Sequence, residues 1–216
     1  MAAGAQGGQS VCRRGTSVKG LVTPVARGLL GASPLLWLMP GVRHVFEASM
    51  SLHMLLQFPL LLVAGWAMSA WAPARLAAWQ ARCDVHGLFS ATLVTVVSAF
   101  WMIPAALDLA LLDARVAALK YGSWLLTGML LAQGWRRLSP ELATFFLGNV
   151  AWMLFTTGLL YRDAEARLCV SYRFDEQIVG GSGLMAWGAM VAALAWLKLR
   201  VVLRHDNAQR KEGTSM

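Results

Sequence analysis

From Ser49 to Trp71 the chain reads SMSLHMLLQFPLLLVAGWAMSAW, 23 residues without a formal charge. About 20 apolar helical residues suffice to cross a bilayer core, so this stretch is long enough to span. It nevertheless carries His53, Gln57 and Pro59. Polar side chains inside a span are costly and tend to face a protein interior or a site. The segment therefore predicts a membrane protein and marks the first place to look for function.

Four further stretches repeat the pattern. Val85–Leu107, Leu142–Tyr161 and Gln177–Leu197 hold no formal charge, and Val116–Trp135 is interrupted only by Lys120. Only 14% of the residues are charged, against about 25% in an ordinary soluble domain. The expected fold class is all-α, a polytopic transmembrane helical bundle of five spans, with a sixth near the N-terminus. That sixth candidate, Gly28–Val42, is uncharged for 15 residues, short enough to be interfacial or re-entrant instead.

Charge placement favours six. With six spans the cytoplasmic side holds Arg13, Arg14, Lys19, Arg75, Arg82, Arg136, Arg137, Lys198, Arg200, Arg204, Arg210 and Lys211. Outside lie Arg43, Arg115, Lys120, Arg162, Arg167 and Arg173, with Arg27 left in the first span. Cytoplasmic loops carry the excess of Lys and Arg, so both termini are expected in the cytoplasm. The domain layout is then a disordered basic segment over 1–27, a bundle over 28–203 and a basic tail over 204–216. The net charge of +8 is mostly topological, and anionic lipid headgroups account for the basic tail more simply than nucleic acid. The first 46 residues lack Asp and Glu, which fits a transit peptide or, more simply, a disordered start or a start site placed too early. Cys12, Cys83 and Cys169 have no paired spacing and form neither a disulfide framework nor a zinc signature.

The connections are short, the longest being Arg162–Glu176. Tryptophans at 66, 71, 101, 135 and 196 fall near predicted span ends, as an aromatic belt requires. Gly180, Gly181, Gly183, Ala186, Gly188 and Ala189 give the last span a small surface on which another helix can pack closely.

In the six-span topology His44, Glu47, Met50, His53, Met54 and Gln57 reach the outer leaflet. Trp101, Met102, Pro104 and Asp108 arrive there from the third span, and Asp175, Glu176 and Gln177 from the last. At about 100° per residue, Met50, His53, Met54 and Gln57 share one helix face. Imidazole with thioether suits cuprous copper. The simpler account is that both methionines are packing and His53 bonds to a neighbouring helix. Pro59 and Pro104 would shape a cavity between two spans, or merely curve them. Asp108 reads as an interfacial stop, Asn149 as an interhelical hydrogen bond, and Cys83 with His86 as too few ligands for a metal. Glu47 and His53 are spaced for proton transfer, but no redox, haem-attachment or nucleotide motif accompanies them. An enzyme is the least supported class.

Two stretches, SLHMLLQFPLLLVAG at 51–65 and FDEQIVGGSGLMAWG at 174–188, resemble the CtaG family of membrane proteins that assist cytochrome c oxidase assembly. The similarity rests on His53, Met54, Gln57, Asp175, Gln177, Gly180, Gly181, Met185 and Trp187, with Pro59 in the run that follows. One extra leucine separates His53 from Gln57, Phe58 stands where many members carry a second His, and Glu176 replaces a usual Gln. The resemblance implies an assembly factor for a haem–copper oxidase in the bacterial cytoplasmic membrane. Oxidase subunits and lipids would be its partners, and copper its cargo at His53, Met54, Met50 and Asp175. A small permease or metal transporter, or a structural subunit of a larger membrane complex, are the alternatives.

Overall fold

The computed structural model of the chain describes residues 28–29, 31–32, 40–164 and 174–214. Among them the structure is helical throughout, without a strand. We number the helices α1 (Pro40–Glu47), α2 (Met50–Trp71), α3 (Ala74–Cys83), α4 (Leu88–Trp101), α5 (Pro104–Leu112), α6 (Ala114–Gly134), α7 (Pro140–Asp163) and α8 (Phe174–Thr214).

Local signals set most boundaries. Pro140 occupies the first turn of α7, where a missing N–H costs nothing, and Ser139 Oγ accepts from Leu142 N at 3.3 Å. Asp113 caps α6 by accepting from Arg115 N at 2.7 Å. Ile103 is extended (ψ 122°), as the residue before a proline prefers, and Pro104 then opens α5. At the other end of α4, Gly87 takes φ 76°, a left-handed turn that suits glycine.

Three helices, α2, α7 and the Asp175–Val201 part of α8, are long and apolar enough to cross a membrane. They coincide with three of the five expected spans. The expected span Val85–Leu107 is not one helix. Gly87 and Pro104 confine α4 to 14 residues, about 21 Å against a hydrocarbon core of about 30 Å. It counts as a fourth crossing only when joined to α3, from which it bends by 100°. The expected span Val116–Trp135 does form a helix, α6, of 21 residues. Arg115 and Lys120, with the polar Ser123, Thr127 and Gln133, leave it too polar to qualify alone. The sixth candidate, 28–42, and the segments 1–27 and 165–173 lie largely outside the described residues. The tail from 204 continues α8 as helix to Thr214.

Close approach between helices is made by glycine. A Cβ on Gly65 would overlap the Leu125 carbonyl, and one on Gly128 the Leu62 carbonyl, so α2 and α6 meet backbone to backbone. Gly158 faces Gly181, and Gly188 faces Ala151 and Phe155, which pairs α7 and α8 in opposite directions. The core between these pairs is built from Met50, Met54, Phe58, Leu61, Trp101, Tyr121, Trp124, Tyr161 and Leu184.

Candidate functional site

The start of α2 faces a terminal problem common to all helices: its first N–H groups have no partner in their own helix. Ser49 does not cap it. Instead Glu176, in the first turn of α8, accepts from Met50 N at 3.2 Å. One turn on, His53–Gln57 winds as a π-helix within the otherwise α-helical α2. Such wide turns are rare and occur often at functional sites. His53 and Gln57, at the two ends of this turn, are each fully buried.

His53 meets Lys120 of α6, whose side chain is 0% exposed, and Gln57 meets the neighbouring Tyr121. The Lys120 Nζ lies 2.8 Å from Glu47 Oε1 and 3.1 Å from His53 Nε2, and 4.9 Å from the centre of the Tyr121 ring. An ammonium has only protons to give, so the Nε2 facing it acts as acceptor. Tyr121 donates its hydroxyl to Glu47 Oε1 (3.1 Å) and accepts from Gln57 Nε2 (2.8 Å). Arg43 closes the cluster from α1, its Nε 2.7 Å from Glu47 Oε2, and anchors to the Ala110 carbonyl at 3.3 Å. Glu47 is thus a carboxylate shared by two cations and a phenol. Burial works against its charge, but Lys120 and then Arg43 overcome this and hold its pKa below the ordinary value.

The rest of this end is tied together from four helices, α4, α6, α7 and α8. Tyr161 Oη donates to the Met102 carbonyl at 2.9 Å, where α4 breaks from α5. Gln177 Nε2 donates to the Tyr161 carbonyl at 3.0 Å, and Trp101 Nε1 to Ser123 Oγ at 2.9 Å. The two stretches of the CtaG resemblance therefore meet in space. Gly183 lies against Leu55, and Glu176 touches Met50, the residue just before the first stretch. Gly180 sits opposite Met50 and Ser51, while Gly181 packs on the Gly158 carbonyl, with Met185 also against Gly158. Pro59 continues α2 beyond the π-turn.

The proposed soft-metal set does not assemble. Met54 and Trp187 line an apolar cavity of about 170 Å³ with Phe58, Met102 and Trp124. Met50 is buried under α8, and Asp175 lies on the exposed side of its helix. A lysine ammonium faces the His53 Nε2 lone pair that copper would need. No group of three or more His, Cys, Asp or Glu side chains is poised for a metal among the described residues. These residues do not fit cuprous copper as arranged.

Other expectations also change. Asn149 is exposed on α7 and makes no hydrogen bond among the described residues. Asp108 lies within α5, after the break, rather than ending a span. Near Cys83 and His86 the working residue is Asp84. It caps α4 through Phe89 N (3.0 Å) and Ser90 N (3.3 Å), and also accepts from Ser90 Oγ.

From the sequence Lys120 reads as a cation on the outer side, and Tyr121 carries no signal of its own. The available signal was a lone lysine in an apolar stretch, which demands an internal partner. Glu47 and His53 were the candidates of matching depth.

No family model matches the sequence, and neither a curated protein nor a solved structure matches it. Fold and site define a helical chain with three helices long and apolar enough to cross a membrane and a buried ionic cluster at one end.

Proposed function

We propose that this chain is an integral membrane assembly factor for a haem–copper oxidase, working from the outer face of the bacterial cytoplasmic membrane. In this proposal α4 and α6 complete a five-crossing bundle with α2, α7 and α8. The ammonium of Lys120 can cross because Glu47 neutralises it inside the protein. The end carrying Arg75, Arg82, Arg136, Arg137, Lys198 and Arg200 faces the cytoplasm, and the Glu47 end faces outward.

The observation that carries the proposal is the contact between the two resembling stretches. They are more than a hundred residues apart in sequence, yet Gly183 lies against Leu55 and Gly180 opposite Ser51, on and beside the turn of α2 that carries His53. A rigid, charged outer end of this kind suits a scaffold that holds a folding oxidase subunit. Copper transfer through His53 is not included, because Lys120 takes the ligand position.

A permease would need polar groups continuing through the bilayer. Beneath Gln57 the path is filled by Phe58 stacked on Trp124, ring centres 5.0 Å apart, so the scaffold is favoured.

The test is cytochrome c oxidase activity in membranes of a deletion strain complemented with wild type or His53→Ala, both scored against membrane abundance of the protein. Activity lost on deletion and restored only by wild type, at equal abundance, supports the proposal. Full activity in the deletion strain refutes it.

A further inference from the structure

At the opposite end of the bundle, where the last turn of α2 meets the end of α6, lies a second cavity of about 500 Å³. Its wall is apolar on one side, from Val63 and Trp66, and polar on the other, from Ser69, Gln133, Arg136 and Arg137. No carboxylate lines it. Arg137 is fixed in place, its Nη1 donating to the carbonyls of Gln80 (3.3 Å) and Asp84 (3.1 Å). Arg136 is exposed and has no hydrogen bond or ion pair among the described residues. Behind the cavity Trp66 packs edge-on against Trp135 at 6.5 Å, and Lys198 of α8 sits 4.5 Å above the Trp135 ring.

We propose that this cavity is a binding site for one anionic phospholipid, its headgroup phosphate held between Arg136 and Arg137 and its chains lying along Trp66 and Val63. Three features select this ligand. A guanidinium recognises phosphate with two parallel hydrogen bonds, and one of the two arginines is already immobilised. The cavity sits where an apolar helix ends among indoles, the depth at which lipid phosphates lie. Two guanidiniums with no carboxylate to offset them attract net negative charge and repel the ammonium of a choline headgroup, so a net negative lipid is preferred over a zwitterionic one. The site does not depend on the oxidase proposal. It needs only that α2 crosses a membrane.

The experiment is native mass spectrometry of the full chain, purified in detergent and offered equal amounts of phosphatidylglycerol and phosphatidylcholine with identical chains. Wild type retains one phosphatidylglycerol in preference to phosphatidylcholine. Arg136→Gln reduces that adduct about fivefold, the equivalent of about 1 kcal/mol for one basic contact, and leaves phosphatidylcholine unchanged. Arg204→Gln, a basic position on α8 outside the cavity, leaves both unchanged. Absence of a phosphatidylglycerol preference, or an equal loss in the two variants, overturns the site. Displacement of the lipid by excess inorganic phosphate would make it a free-anion site and overturn the lipid assignment.

Discussion

Replacing Lys120 by methionine is the sharpest perturbation of this structure. The substitution keeps the length of the side chain and deletes the charge, leaving Glu47 with Arg43 and Tyr121 and His53 Nε2 without its donor. Breaking a buried pair by removing one partner typically costs 3–5 kcal/mol, since the other charge stays uncompensated. Glu47 is only 9% exposed but keeps Arg43, so the loss falls at the low end, about 3 kcal/mol. Glu47→Gln strands a fully buried ammonium and costs a similar amount. The double variant removes both charges. Its loss falls well short of the sum, with a coupling of about 2–3 kcal/mol. Unfolding in mixed dodecylmaltoside and dodecyl sulfate micelles, followed by circular dichroism, measures all three. A Lys120→Met cost below about 1 kcal/mol, additive with Glu47→Gln, would mean that the ammonium reaches water and that no buried pair exists.

Two other predictions use the same unfolding assay. Gly65→Ala and Gly128→Ala each force α2 and α6 apart and cost about 1–3 kcal/mol, whereas Gly122→Ala, which meets open space, is neutral or mildly stabilising. Equal effects at all three positions would refute the backbone contact. The second concerns acid. Glu47 titrates below its ordinary value of 4.5, so the stability it contributes is complete above that pH and is lost as pH falls through the lower folded value. Wild type should therefore lose stability below about pH 4.5 more steeply than Glu47→Gln, and parallel profiles would contradict the assignment.

Much of the helical layout is legible in composition alone. The uncharged runs at 49–71, 142–161 and 177–197 each coincide, to within a residue or a few, with a helix long enough to span. Hydropathy fails at 85–107 because it averages side chains and ignores the backbone. Gly87 and Pro104 dictate dihedral angles that confine α4 to Leu88–Trp101 whatever the surrounding apolarity. The polar faces of α2 are legible too, since helical spacing alone puts His53 and Gln57 on one side. Their chemistry is not. A Met/His set looks like a soft-metal site until Lys120, 67 residues away, is seen at His53 Nε2. In the sequence Glu176 reads as an outer-leaflet carboxylate and as a departure from a familiar motif. Its use as the missing N-terminal cap of α2 depends on a contact 126 residues apart in sequence, which no local pattern encodes.

The most direct test of the charged cluster as a working part of an assembly factor uses the variant in which both charges are gone. In a deletion strain complemented with Glu47→Gln/Lys120→Met, cytochrome c oxidase activity scored per amount of the protein in the membranes should fall well below that restored by wild type. Full restoration by that variant would make the cluster a packing device and contradict the account.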